Sequence, residues 1–407
     1  MSEEKKPEEI KVLKNALLID GTGRPPVENG IVIVRGNKIE AAGVAGMVQV
    51  PEGAEVIDAK WKTIMPGMIE LHGHIAQARA DEIRYDGERA LWGALALKQS
   101  LMKGITTVRS AGEDFNTAFS LKLGHFRGMF VGSRPRVCGS IIAITGGHGS
   151  MAADSPWEAR KRVREALKAR ADHIKIGTTH RPWHGVEEFT MEELKAIVEE
   201  AHKYKKKVMA HAAMMPGMVM AIEAGVDSVE HGPTEFPFEV DDKTVKLMVD
   251  SGIWWVPTLW VFLQERTPEQ EAERRRRMEM MPPTEETELA QQWGEAVRKY
   301  APINFKKCLE AGVKIATGTD CMGARNFGQA HEEAILFVKY GMAPMDAIKA
   351  ATLNAAKVLG EEDKLGSIEA GKLADIIVVD GDPSKDITAL RKVPLVMLDG
   401  KIVKNEL

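Results

Sequence analysis

Short apolar runs recur through the middle of this chain, and each closes on a polar or charged side chain. Eight of them read as buried strands, over 64–71, 105–110, 136–144, 173–178, 207–211, 228–231, 253–258 and 314–319. Between most of them the apolar positions fall at helical spacing, over 81–102, 157–171, 191–205, 216–224 and 242–251, with 329–340 and 344–359 after the last strand. Continuous apolar strands alternating with amphipathic helices are the pattern of a parallel sheet, whose strands are covered by crossover helices. Eight such repeats over about 300 residues predict a (β/α)8 TIM barrel. The open doubly wound sheet is the alternative, but no glycine-rich phosphate loop follows the first strand.

The two ends of the chain are patterned differently. Residues 10–18, 30–35 and 38–42 are β-rich, with turns at Asp20-Gly21 and Gly36-Asn37. Residues 374–380 and 393–398 are also strand-like, and Asp399-Gly400 marks a hairpin into 401–404. The expected organisation is a small β-sandwich built from both termini, residues 1–62 plus 365–407, beside a barrel of 63–364. One segment breaks the rhythm. Residues 259–302 form a long, charged, helix-prone insertion after the seventh strand, on the face where a barrel keeps its chemistry. A solvated helical arm and a lid that touches substrate both remain open.

Composition narrows the class. The 407 residues are 44% hydrophobic and 28% charged, as expected of a soluble protein with a large core. A formal net charge of −4 gives no reason to expect nucleic acid or an acidic membrane as partner. Cys138, Cys308 and Cys321 are odd in number and widely spaced, which argues against a disulfide framework and for a reducing compartment. The opening Met-Ser-Glu-Glu-Lys-Lys lacks the apolar stretch of a signal peptide, and no apolar run approaches the roughly 20 residues needed to span a bilayer. A cytoplasmic protein acting on a small molecule is expected.

The polar ends of the strands carry the chemistry. The first strand runs into His72-Gly-His74, and Lys175 lies within the fourth. The fifth ends on His211, the sixth on His231, and Asp320 follows the eighth. His-x-His on an extended strand sets both imidazoles on one side, because side chains alternate with period two. Four imidazoles and a carboxylate at the C-terminal ends of parallel strands point to a metal site. Lys175 sits in Ile174-Lys-Ile, where a buried amine is costly unless it is paired or chemically changed. It is either one half of a buried salt bridge or an amine that has reacted with carbon dioxide. The resulting carbamate is an anion able to bridge two divalent ions, and the depressed pKa it needs is what burial supplies.

This constellation resembles the amidohydrolase superfamily, in the branch with two metals bridged by a carboxylated lysine. The phrase Met65-Pro-Gly-Met-Ile-Glu-Leu-His-Gly-His74 looks like its first-strand signature. Gly104-Ile-Thr-Thr-Val-Arg109, Ala210-His211, Glu230-His231-Gly232, Thr317-Gly-Thr-Asp320 and the ending 366–375 fall in its order. Thr145-Gly-Gly-His148-Gly and the buried Ile-Lys-Ile look like the imidazolonepropionase-related and prolidase-like group. The chain departs from the usual pattern at Glu70, at Ser110-Ala-Gly112 and in the loop 178–184.

The resemblance implies a metal-dependent hydrolase of amide C–N bonds, acting on a dipeptide or an N-acyl amino acid. Two divalent ions, zinc by expectation, would be held by His72, His74, His211, His231 and Asp320, with N6-carboxylated Lys175 between them. A metal-bridging hydroxide would attack the carbonyl, with Asp320 as general acid and base and His148 as a donor to the developing oxyanion. His180, Arg181 and His184 are candidates for a substrate carboxylate. Ester, lactone or carbamate hydrolysis by the same groups is the alternative. Heterocycle deamination is disfavoured by Met214, which stands where deaminases of this kind carry Glu. A homo-oligomer is expected.

Overall fold

The computed structural model describes residues 9–77, 85–113, 115–179, 189–265, 268–269, 271–272, 276, 285–323 and 327–407. The chain opens with β1 (Ile10–Leu18), β2 (Val27–Arg35), β3 (Lys38–Val44), β4 (Glu55–Asp58) and β5 (Thr63–Pro66). There follow β6 (Met68–His74), α1 (Asp86–Met102), β7 (Ile105–Ser110), α2 (Phe115–Phe126), β8 (Arg134–Arg136), β9 (Ile142–Ala143) and β10 (Met151–Ala152). Strand and helix then alternate through α3 (Pro156–Lys168), β11 (Ile174–Gly177), α4 (Met191–Lys203), β12 (Val208–Ala212), α5 (Met215–Ala224), β13 (Ser228–His231), α6 (Asp242–Ser251) and β14 (Trp254–Val256). The insertion supplies α7 (Leu259–Leu263) and α8 (Glu285–Glu310), ahead of β15 (Lys314–Ile315) and β16 (Cys321–Met322). The chain closes with α9 (Ala330–Lys339), α10 (Pro344–Ala350), α11 (Leu353–Leu359), β17 (Ile376–Val379), β18 (Leu395–Leu398) and β19 (Lys401–Asn405).

The helices begin where local chemistry can satisfy their free N–H groups. Ser155 accepts from Glu158 N, with Pro156 opening α3. Thr190 and Glu193 form a reciprocal capping box on α4, and Asp241 accepts from Thr244 N on α6. Gly225 and Gly252 close α5 and α6 in the left-handed conformation.

The strands of the middle region are all parallel and lie in two sheets. One runs in the order β10-β9-β11-β12-β13-β14-β15, the other β16-β6-β7-β8. The chain therefore has an α/β fold. Single main-chain bonds, from Leu71 N to Thr317 O (3.1 Å) and from Asp172 N to Val137 O (2.8 Å), connect the two sheets. Among the described residues the ladders do not form one continuous ring. The main core lies between strands and helices, where Ile174, Ile176, Val208, Ala210 and Val229 meet Val163, Ile197, Met218 and Val245.

Strands from both ends of the chain do join. They form one mixed sheet, ordered β19-β18-β17-β5-β1-β2-β3 with β4 beside β1, over a core of its own that includes Leu13, Val32, Ile64, Ile376 and Leu395. The apolar run expected as one strand over 64–71 is divided at Gly67. Its first half, β5, pairs with β1 and β17, and its second half, β6, pairs with β7. Gly67 passes so close to Thr106 that any Cβ would collide with that side chain. Likewise the run 136–144 appears as β8 and β9. No helix among the described residues is long and apolar enough to cross a membrane.

Candidate metal centre and active site

The polar strand ends converge. His72 and His74 leave β6 on one side, with ring centres 5.6 Å apart. His231, the last residue of β13, stands 4.7 Å from the His72 ring and 4.7 Å from the His211 ring on β12. Asp320 reaches in from the turn between β15 and β16, with Oδ1 3.1 Å from His74 Nε2 and 3.6 Å from His72 Nε2. One ligand atom from each of His72, His74 and Asp320 fits within 4.8 Å of the others, so this group could hold a metal ion.

Lys175 lies on β11 in register with Met209, beside the strand that carries His211. Its side chain is 1% exposed, and its Nζ has no hydrogen-bond partner among the described residues. Burial pushes its pKa down to about 8, only partly opposed by the charges of Glu230 and Asp320. A buried amine with nothing to bond is an unsatisfied group that a further ligand or a chemical change would relieve.

At His72, His211 and His231 the electrostatics favour the neutral imidazole, and at Asp320 the ionised acid, the protonation states that metal ligation needs. Burial, and then the charge of Lys175, lowers His72 to about 4. Burial also drives His211 and His231 well below the usual histidine range. Burial would raise Asp320, but the hydrogen bond to His74 and the charges of His72 and His231 outweigh it and hold the carboxyl low. For His74 burial acts downward and the Asp320 contact upward, and the upward effect prevails.

Each ligand candidate is oriented from behind. His72 Nδ1 meets Glu230 Oε2 at 2.8 Å, and His74 Nδ1 meets the Gly112 carbonyl at 2.8 Å. His231 Nδ1 meets Thr258 Oγ1 at 2.8 Å, and Trp255 Nε1 donates to the His231 carbonyl at 3.0 Å. Such contacts fix ring orientation and leave Nε2 for a ligand. Arg109, 2% exposed, donates to Glu230 Oε1, to Ser228 Oγ and to the Leu71 carbonyl. Burial would raise Glu230, but Arg109 and the His72 contact hold it far below the carboxylate range. Glu70 accepts from His72 N, Thr319 N and Thr319 Oγ1 at 2.7–2.9 Å, tying the His-x-His strand to the residue before Asp320. Burial lifts its carboxyl to about 7.

The backbone is also unusual here. His231 (φ 72°), Thr258 (φ 50°) and Asp320 (φ 56°) are three non-glycine residues in the left-handed region. That conformation is sparsely populated by β-branched and bulky residues and collects at functional sites.

The six residues singled out from the strand ends are thus brought together. His148 stacks on His211, with ring centres 4.1 Å apart and planes 21° apart. His180, Arg181 and His184 lie outside the described residues. Cys321 is buried and its thiol is pushed well above its ordinary pKa by burial, so it is packed rather than reactive. The reading of strand ends alone misses Arg109, Glu230 and Thr258. Arg109 and Glu230 carried a signal, since opposite charges inside buried strands must find each other. A cavity of about 440 Å³ lies elsewhere, lined in part by Lys122, Phe130, Arg136 and Lys401. Two of its cations are already paired, Lys122 with Asp172 and Arg136 with Glu361, both at 2.7 Å.

Comparison with known proteins gives one consistent result. Residues 63–403 match the amidohydrolase family. The ochratoxinase of Aspergillus niger is 26% identical, over 97% of this chain and 87% of that protein. An imidazolonepropionase of Geobacillus sp. (strain WCH70) is 22% identical, over 87% of this chain and 84% of that protein. Among solved structures, a Xaa-Pro dipeptidase with bound methionine in the active site superimposes with a TM-score of 0.86 and 31% identity, over 98% of this chain and 100% of that one.

Proposed function

We propose that this chain, which belongs to the amidohydrolase family, is a metal-dependent hydrolase of an amide C–N bond in a dipeptide or an N-acyl amino acid. The observation that carries the reading is the meeting of His72, His74, His211, His231 and Asp320 beside the unpartnered amine of Lys175. The names of the relatives support it, an ochratoxinase and a Xaa-Pro dipeptidase both being hydrolases. In this reading residues 63–364 are a (β/α)8 barrel, and residues 1–62 plus 365–407 are a small β-sandwich domain.

His72, His74 and Asp320 would hold one divalent ion and His211 and His231 a second, zinc in our reading, with N6-carboxylated Lys175 between them. Ions bound there supply Lewis-acid activation of water and of the scissile carbonyl. Asp320, ionised and within 3.1 Å of His74, takes the proton from the attacking water and passes it to the leaving nitrogen. His148 donates to the carbonyl oxygen as charge grows on it, from its place against His211. Glu230, Gly112 and Thr258 hold the imidazoles in one tautomer throughout. His180, Arg181 and His184 take the substrate carboxylate. The working unit is a homo-oligomer in the cytoplasm, with a small-molecule substrate and neither nucleic acid nor membrane as partner.

The test is a mass-spectrometric screen of the protein, supplied with zinc and bicarbonate, against dipeptides, N-acyl amino acids, anilides, lactones, esters and aminoheterocycles. Release of acid plus amine from amide substrates is the expected result. Turnover confined to esters or lactones, or ammonia released from an intact ring, overturns it.

A further inference from the structure

One buried acid on the loops above the strand ends has no use in the mechanism, and one of its oxygens has no hydrogen-bond partner among the described residues. Glu235 stands four positions past His231, on the loop that leaves β13. That loop is pinned at both ends. Thr234 N donates to the Ala213 carbonyl at 2.9 Å, two residues beyond His211. Asn304 of α8 donates to the Phe238 carbonyl at 2.7 Å and accepts from Val240 N at 2.9 Å. Glu235 lies between these anchors and is 4% exposed, with Oε2 unpartnered.

Other buried acids at the strand ends have donors. Glu70 takes three donors at Thr319 and His72, and Glu230 takes Arg109. Glu113 takes Ala76 N and Ser110 Oγ, and Glu333 takes Leu259 N and Trp260 N. Among the described residues Glu235 alone of the carboxylates keeps a buried oxygen without a hydrogen-bond partner. Burial, with no charge set against it, lifts its carboxyl to about 7. A buried acceptor without a donor, in a loop that leaves β13 and is anchored to the exit of β12 and to α8, can take a donor that arrives with the substrate.

We propose that Glu235 is the specificity-determining carboxylate of this site, pairing with the free α-ammonium of an unblocked dipeptide and selecting it over an N-acyl amino acid. The assignment rests on the amide-hydrolase reading above. In a dipeptide the α-nitrogen lies two bonds, about 2.5 Å, from the scissile carbonyl carbon, so its partner must come from the loops rimming the metal ligands. The ammonium offers three donors to an acceptor-only carboxylate. An acylated nitrogen has lost that charge and leaves the buried carboxylate unpaired, and sites built this way reject the deficient analogue strongly.

The experiment compares kcat and KM for a dipeptide and its N-acetyl counterpart on the zinc-supplied wild type, Glu235→Gln and Glu235→Asp. The wild type should prefer the free dipeptide by at least about tenfold in kcat/KM. Glu235→Gln should erase most of that preference, chiefly through a higher KM for the free dipeptide, with the N-acetyl rate changed by less than about twofold. Glu235→Asp, which keeps the charge, should retain part of it, and thermal unfolding of both variants reports whether they fold. An equal loss on both substrates, or a wild type indifferent to acetylation, removes the role of Glu235 and leaves the amidase reading standing. Cleavage of neither substrate overturns that reading, and this assignment with it.

Discussion

Lys175 is the side chain whose surroundings are hardest to satisfy without chemistry. Its amine is buried, unpartnered and shifted down to about 8, which makes the neutral, carbon dioxide-reactive form accessible near neutral pH. Lys175→Ala should lose bound metal and activity together, measured by elemental analysis and turnover, with partial rescue by a short carboxylic acid. Full activity in that variant would end the bridging role. Asp320→Asn should slow turnover by about 10²–10⁴-fold while the fold persists, and a near-normal rate would require another base. Thr258→Ala strips His231 Nδ1 of its partner and should weaken metal affinity by about 10–100-fold, with Thr258→Ser largely restored. Glu235 makes a separate pH prediction. Its folded-state pKa is raised from 4.5 to about 7, so the stability it confers is complete below about pH 4.5 and disappears as pH rises through 7. Glu235→Gln does not titrate, and between those limits it should gain steadily on the wild type as pH rises. Parallel stability curves from pH 4.5 to 8 would count against it. The histidines, Lys175 and Asp320 were legible because each interrupts or ends an apolar strand. Thr258 was not, since a lone threonine carries no sign of a left-handed backbone.

Among the elements, periodicity located most strands and helices to within a few residues, and β7, β13 and α6 fell on their expected bounds. Two of the features it missed show why. The division of 64–71 into β5 and β6 turns on Gly67 meeting Thr106, a contact between residues distant in sequence. Helix α2 has apolar positions on more than one side, with Leu123 and Phe126 exposed, so no single stripe announces it. Gly318, ahead of Asp320, makes a similar close approach. A Cβ there would collide with Val256 Cγ1 and sit 2.9 Å from His72 Cβ. Gly318→Ala should therefore destabilise the protein by about 1–3 kcal/mol and displace the His-x-His strand, read as a lower melting temperature and weaker metal binding. An unchanged melting temperature would mean that Val256 and His72 yield freely.

At the scale of the molecule, a buried ionic tie joins the middle region to the terminal sheet. Arg134 of β8 donates to Asp375 at 2.6 Å and to Asp399 at 2.7 Å. Arg134→Ala leaves Asp375 buried without its cation and should cost about 3–5 kcal/mol, measured by denaturant unfolding. A loss below about 1 kcal/mol would mark the tie as dispensable. The strand pattern of both ends led to the expectation that they assemble together, but not to which strands pair within one mixed sheet, because pairing between strands hundreds of residues apart leaves no local trace. That sheet also sets the order of events at the ribosome. Strand β5 emerges early, yet its neighbour β17 is encoded roughly 300 residues later. At translation rates of about 5–20 residues per second, the nascent chain carries an open strand edge for roughly 15–60 s. Throughout that interval a second nascent copy, or a chaperone, can occupy the place that β17 will later fill.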